Sequence, residues 1–377
     1  MDFTFSEEQQ AVAELAGRIL ADRLTPERVR EIELAADGRW FADDVWRELA
    51  KAELLGLCLP EAVGGSGYGV LEACLLLEQQ GRAVAPLPLL PTLLYGAMPI
   101  ARFGTPEQQQ ALLPGVAAGD VILTAALHEA GGYTVPSVPA TRAARADGGW
   151  RLDGDKQLVP AAHLAARILV PARTGETDTG VFLVDPSAVG VSLERSVLTT
   201  GEPVWQLGLD GVAVGDGDVV GDPADGGDIV QWIVDHAIAG LCATAAGVCG
   251  RAVEITAAYV SEREQFGAKI GTFQAVSQRA ADAWIDAEAI RLTAWEAAWR
   301  LSAGLPAAES LATAKFWAAD GGQRVVHAAQ HLHGGIGVDI DYPIHRYFRW
   351  AKQLELTLGG ATVSLLRLGA MLAAEPV

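Results

Sequence analysis

Arg263, Phe266, Gly267 and Gln274 lie close together in the run Tyr259-Val260-Ser261-Glu262-Arg263-Glu264-Gln265-Phe266-Gly267-Ala268-Lys269-Ile270-Gly271-Thr272-Phe273-Gln274. A guanidinium can give a pyrophosphate a forked pair of hydrogen bonds. Phe266 offers an apolar face, Gly267 a turn, and Gln274 an amide that both donates and accepts, as a purine or ribose requires. The plainer alternative is a helix–loop–helix with a surface arginine. A second glycine-rich element follows downstream, Gln330-His331-Leu332-His333-Gly334-Gly335-Ile336-Gly337, and after it Tyr342-Pro343-Ile344-His345-Arg346-Tyr347-Phe348-Arg349 and Thr357-Leu358-Gly359-Gly360.

Other ionisable groups make weaker cases. Asp235 and His236 adjoin at the start of a long apolar stretch, where a histidine beside a carboxylate could act as a base with its orienter. An ordinary helix N-terminus with a favourable aspartate explains the same pair. His327, His331 and His333 put at most two rings on one helical face, with no carboxylate nearby in sequence, so no metal site is expected. Cys58, Cys74, Cys242 and Cys249 sit in apolar stretches without metal or redox spacing, which points to buried free thiols and a reducing compartment. His345, Arg346 and Arg349 are given no role.

The elements that must hold these residues are mostly helical. The chain has 377 residues, half of them hydrophobic, and a formal net charge of −19. That length allows two or three domains. The charge argues against nucleic-acid binding, which needs a concentrated basic surface. Residues 1–118 read as helices. Ser6 with Gln9 forms a capping box, Thr105 with Pro106 starts another helix, and Leu59–Gly67 is a loop before an apolar helix. From about 119 to 226 short apolar runs alternate with Gly, Asp and Pro, as at Val121–Leu127, Trp150–Leu152, Arg167–Val170, Val181–Val184 and Val191–Leu193, which are strand and turn signals. Residues 227–377 return to helices: one to about Arg263, one from Thr272 to about Ser302, one from about Pro306 to Leu332, one from Ile344 to the Gly359-Gly360 pair, and a last one to Leu372. The N-terminus Met1-Asp2-Phe3-Thr4-Phe5 shows no basic region followed by an apolar run, so no secretory leader is expected. The longest apolar run, Ala237–Gly250, falls short of the ~20 residues that span a bilayer. No membrane attachment is expected, and the expected location is cytoplasmic.

The two C-terminal elements resemble those of acyl-CoA dehydrogenases. The first matches the family's Arg-x-x-Phe-Gly-x-x-Ile-x-x-Phe-Gln. The second resembles the family's Gln-x-x-Gly-Gly-x-Gly followed by Tyr-Pro and an Arg-rich helix start, after which the family usually has Glu-Gly-Thr. With the Leu59–Gly67 loop and the β segment, the resemblance spans the chain. It implies an α+β fold: an N-terminal helical domain (1–118), a middle β domain (119–226), and a C-terminal four-helix bundle (227–377) with an oligomer interface. It implies FAD, whose adenosine diphosphate half would meet Arg263, Gln265, Phe266, Gln274, His331 and the Gly334-Gly335 backbone across a subunit boundary. His331 stands at the family's Gln.

Elsewhere the pattern departs from the family. Leu358 occupies the place of the Glu that removes the α-proton of the acyl thioester, and a leucine accepts no proton, so no catalytic residue is assigned. Glu355 lies about 60° further round the helix and reads as a surface residue. His128-Glu129 stands for Thr-Glu of the flavin-ring loop, and Leu158-Val159-Pro160 for an aromatic-Ile-Thr. Proline offers neither an N–H nor a hydroxyl. Loss of base and ring contacts beside an intact nucleotide arm resembles the base-lacking subunit of actinobacterial α2β2 acyl-CoA dehydrogenases that act on steroid side-chain CoA thioesters, including cholesterol catabolites. The resemblance implies a catalytic sister subunit, a bulky acyl-CoA and an electron-transfer flavoprotein as partners. A self-sufficient homo-oligomer using His236 or Asp235, a flavin monooxygenase of the same fold, and a subunit without flavin contact stand as alternatives.

Overall fold

The computed structural model describes residues 4–132 and 134–374. Met1, Asp2 and Phe3, on which the leader reading partly rests, lie outside that range. Helices α1 (Glu7–Arg23), α2 (Pro26–Glu33), α3 (Asp43–Lys51), α4 (Val70–Ala83), α5 (Met98–Phe103) and α6 (Pro106–Ala117) precede a sheet. After the sheet come α7 (Gly226–Glu262), α8 (Gln274–Ser302), α9 (Ala308–Phe316), α10 (Gly322–His333), α11 (Ile344–Leu356) and α12 (Ala361–Ala374). The expected capping box forms at Ser6, and the expected cap at Thr105 proves to be a capping box as well. Ser6 and Gln9 exchange side-chain and backbone bonds at the start of α1, and Thr105 and Gln108 do the same at α6. The segment read as one helix from Pro306 to Leu332 begins two residues later and carries a π-turn, Trp317–Gly321, between α9 and α10.

By packing, the chain forms two units. One comprises the stretch ending at Glu31, Cys74–Ala85 and everything from Ile238 onward. The other comprises Ile32–Ala73 and Pro86–Ala237. The second unit is built on a sheet of β1 (Leu123–Ala125), β2 (Arg142–Ala146), β3 (Gly149–Pro160), β4 (Arg167–Arg173), β5 (Thr179–Val184), β6 (Val191–Val197), β7 (Pro203–Gly215) and β8 (Val219–Val220). They lie in the order β6-β7-β3-β2-β4-β5-β8, and β1 joins β4 in parallel. Its core places Trp150 edge-on to Phe182 at 5.4 Å, among Leu152, Ile168, Val170 and Leu207. The strand signals located β1, β3, β4, β5 and β6 but passed over β2, β7 and the two-residue β8. The β2 sequence Arg-Ala-Ala-Arg-Ala has helix-forming residues. In β7, glycines interrupt the apolar pattern; Gly208 faces Ser192 of β6, and a Cβ there would lie 2.5 Å from the Ser192 Oγ.

The helical unit is organised around α7. An 18-residue window of this helix has mean hydropathy 1.5, enough by length and composition to cross a bilayer, yet 83% of that window is buried within the protein. The apolar run is therefore longer than Ala237–Gly250 suggested, and it serves as a core helix. Glycines let α4 press against it. A Cβ at Gly81 would stand 2.1 Å from the Thr244 carbonyl oxygen, and one at Gly247 2.0 Å from that of Glu78. Both contacts are with backbone, which cannot swing aside. Gly247→Ala is expected to destabilise the protein by about 1–3 kcal/mol or more. Gly227→Ala, in open space in the first turn of the same helix, is expected to be neutral or slightly stabilising. Denaturant unfolding of the two variants compares them directly.

Candidate cofactor-binding arm

Arg263 follows directly on α7 and opens a two-stranded hairpin, β9 (Glu264–Gln265) with β10 (Ala268–Lys269), in which Gln265 faces Ala268 and Glu264 faces Lys269. The Ile270 amide donates to the Arg263 carbonyl at 2.8 Å and closes the ladder. Two residues make the turn, Phe266 at φ 54° and Gly267 at φ 77°. Positive φ at both central positions is the type I′ geometry that suits the twist of paired strands. Glycine adopts it freely, whereas a phenylalanine there is strained by about 1–3 kcal/mol. The strained side chain gains no burial in return, since Phe266 is 95% exposed. Arg263 and Gln265 are exposed as well, and the Gln265 Nε2 donates to the Glu264 carbonyl at 2.7 Å. Gln274 is the first residue of α8 and also exposed.

The second element follows α10. His331 is exposed, Gly334 takes φ 62°, and a Cβ at Gly334 or Gly335 would meet nothing within 4 Å. This bare, accessible backbone is what the close approach of a phosphate group requires. The two elements are joined inside the unit. Tyr259, one turn before Arg263, stacks on His333 with ring centroids 4.5 Å apart, and His333 directly precedes Gly334. These residues fit the adenosine diphosphate half of FAD: a forked cation, an exposed aromatic, an amide and an open glycine turn. Sequence reasoning missed Tyr259 and His333 as the link. The available signal was an aromatic side chain immediately beside each motif.

The segment where the resemblance expects the base differs. Helix α11 ends at Leu356, Thr357 turns the chain, and Leu358 follows at φ 58°, 7% exposed. Its side chain is buried and apolar on a left-handed backbone. Lys315, itself buried, holds the end of α11 by donating its Nζ hydrogens to the carbonyls of Leu354 at 2.6 Å and Glu355 at 3.1 Å. Burial pushes this lysine down to about 8, against the charges of Cys242 and Glu355. The Glu355 carboxylate pairs with Lys352, consistent with a structural residue.

The sheet unit holds the residues expected to face a flavin ring. Leu158 stands at a break in register between Lys156 and Val159, at φ 53° and 51% exposed. The Pro160 carbonyl accepts from the Thr124 hydroxyl at 2.8 Å and has no donor of its own to offer. Neither residue can hydrogen-bond a ring through its side chain, so this half does not fit the isoalloxazine as the other half fits the nucleotide. His128 is half-buried, and burial and the Lys156 charge both hold it below its ordinary value. Glu129 is a structural anchor. Its carboxylate accepts from Lys156 Nζ at 2.6 Å, the Ala140 and Thr141 amides, and the Thr141 hydroxyl. Burial raises the Glu129 carboxyl, but the Lys156 hydrogen bond and charge, with the two amides, outweigh it and set the group at about 2.

The alternative base is not supported. His236 is buried and turns its Nδ1 to the Trp232 carbonyl of its own helix at 2.8 Å, with its ring stacked on the indole at 3.6 Å. The nitrogen that an orienting carboxylate would use is thus occupied. Burial, opposed by that backbone bond, pushes the ring down to about 4. The Asp235 carboxylate takes a bond from Gln231 at 2.8 Å. The four cysteines are buried free thiols, as expected, and among the described residues no group of three or more metal-ligating side chains gathers.

Family models of the acyl-CoA dehydrogenase N-terminal domain and C-terminal domain match residues 6–120 and 224–372 respectively. The acyl-CoA dehydrogenase FadE27 of Mycobacterium tuberculosis is 40% identical over 387 residues, covering the whole of both chains. Among solved structures, the ChsE4–ChsE5 complex from Mycobacterium tuberculosis superposes with a TM-score of 0.93 at 40% identity over the full length of both chains. The Tcur3481–Tcur3483 steroid ACAD variant does so with a TM-score of 0.90 at 45% identity, over 97% of this chain and 98% of that one.

Glu129→Gln should leave Lys156 as an uncompensated buried charge and cost about 3–5 kcal/mol. The Glu129 contribution is fully present above its unfolded value of 4.5 and is lost as pH falls towards 2. Denaturant titrations at pH 7 and pH 3 are expected to show the variant losing less stability between the two than the wild-type chain.

Proposed function

Because the chain belongs to the acyl-CoA dehydrogenase family, whose cofactor is FAD, we propose that it is the base-lacking subunit of a heteromeric acyl-CoA dehydrogenase that lends a nucleotide arm to its sister subunit. One observation carries the reading. The same helical unit exposes a strained, fully presented arm and buries a leucine where the family's base would stand. FAD, when bound, supplies the hydride acceptor for α,β-dehydrogenation. Arg263 would hold the pyrophosphate, Phe266 would cover an apolar face, and Gln265, Gln274 and His331 would offer hydrogen bonds to the adenosine end. Gly334 and Gly335 would admit the phosphates to the backbone. The α-proton must then go to a carboxylate of the partner.

Two similar solved structures support a two-component assembly, since each is named for a pair of proteins, and one name includes "steroid". A steroid side-chain or similarly bulky acyl-CoA is the proposed substrate, an electron-transfer flavoprotein the proposed electron acceptor, and the cytoplasm the proposed location. Exposed apolar side chains along α8 and α12, among them Ile285, Leu292, Trp299 and Leu366, support burial against other subunits. The segments 1–118, 119–226 and 227–377 are proposed as the family's three domains.

Co-expression with the sister subunit and a flavin count is the test. The expected value is half a flavin per chain, and one per chain overturns the reading. Arg263→Glu in this subunit is expected to weaken FAD in the complex by roughly ten- to a hundredfold, and unchanged flavin content would rule out the lending role. Leu358→Glu in the isolated chain is expected to give no turnover, because the ring-facing loops are also altered.

A further inference from the structure

We propose that Tyr259, His333 and Tyr342 form a clasp that fixes the two halves of the nucleotide arm relative to each other, with His333 as its positioning residue. This rests on the lending role proposed above. His333 is 3% exposed and contacts each piece. Its Nδ1 lies 2.8 Å from the Ala329 carbonyl on its own helix, and its Nε2 lies 3.2 Å from the Tyr342 hydroxyl. A carbonyl can only accept, so Nδ1 carries the hydrogen. Nε2 is then the acceptor for the Tyr342 O–H. Tyr259 stacks on the ring at 4.5 Å and directs its hydroxyl to the His333 carbonyl at 3.5 Å. Tyr342 approaches Tyr259 edge-on at 6.3 Å and closes the trio.

Each member borders a piece of the arm. Tyr259 is one turn before Arg263, His333 immediately precedes Gly334, and Tyr342 ends the loop that leaves the glycine turn. That loop is itself restrained, with the Asp341 amide bonded to Asp339 Oδ1 at 3.0 Å and the Asp341 carboxylate paired with Arg30 of α2. A pyrophosphate held by a guanidinium on one segment and by bare backbone on another needs the two at a fixed spacing. A rigid aromatic stack with one neutral tautomer supplies it.

The clasp is also sensitive to protons. The ring faces Tyr259 from α7 and Tyr342 from the loop, and burial holds it below its ordinary value of 6.5, opposed by the bond to Ala329. The neutral form, and the acceptor at Nε2, therefore persist at neutral pH and are lost as pH falls through that lowered value.

The test is titration of FAD into the flavin-depleted complex, with His333→Phe, which keeps a stacking ring, and Tyr342→Phe, which removes only the hydroxyl. Both variants are expected to raise the FAD Kd by roughly five- to tenfold at neutral pH. Both are also expected to flatten the weakening of FAD that the wild-type complex shows below pH 6.5. A lowered melting temperature with FAD Kd and pH profile unchanged would make the trio merely structural and overturn the proposal. Arg263→Glu run in parallel separates the two ideas. If it weakens FAD while the clasp variants do not, only the clasp fails. If none of the three does, the lending role and the clasp fail together.

Discussion

The helical unit depends on how closely two backbones approach. Gly81 and Gly247 leave no side chain between α4 and α7, and any Cβ there would strike a carbonyl oxygen. That contact fixes α7, a mostly buried helix whose far end delivers Arg263 to the hairpin. Tyr259, one turn earlier, carries the constraint across to α10 and the glycine turn. The arm is thus placed by the core as well as by the bonds within its own loops. A large rigid helix is a sound support for an exposed side chain that must meet a neighbouring molecule.

Three strained positions coincide with places that the family resemblance singles out. Phe266, Leu158 and Leu358 are three of the seven non-glycine residues among those described that take positive φ, at a cost of about 1–3 kcal/mol each. At Phe266 the strain presents an aromatic ring to solvent. At Leu158 it presents an aliphatic side chain, and at Leu358 it buries one. The three share a conformation and differ in what they offer, and only the first still offers a face that a nucleotide could use.

Much of this was legible in the residues. The Ser6–Gln9 pair, the Thr105 cap and the helix end at Ser302 follow from local rules that the fold obeys, while α11 stops at Leu356, short of the Gly359-Gly360 pair. Arg263, Phe266 and the double glycine could be singled out because they are chemically unusual together. What stayed hidden depends on partners distant in sequence. The strand around Gly208 went unread because its pairing with β6, where Ser192 faces it, is not written in the local residues. Lys315 gave no signal until the end of α11 arrived to accept its hydrogens. His333 looked like one of three scattered histidines until Tyr259 came to lie against it. The two leucines betray their strain only in the dihedral angles, which composition does not encode.

The loop that carries Leu358 bears on how such a subunit could arise. Its left-handed turn, the threonine before it and the lysine-held helix end are all in place, so exchanging a carboxylate for a leucine there asks nothing of the main chain. Under the proposed reading, two copies of one ancestral gene could diverge into giver and receiver by side-chain changes on a shared backbone. Asymmetry between sister subunits would then be a short mutational walk rather than a structural invention.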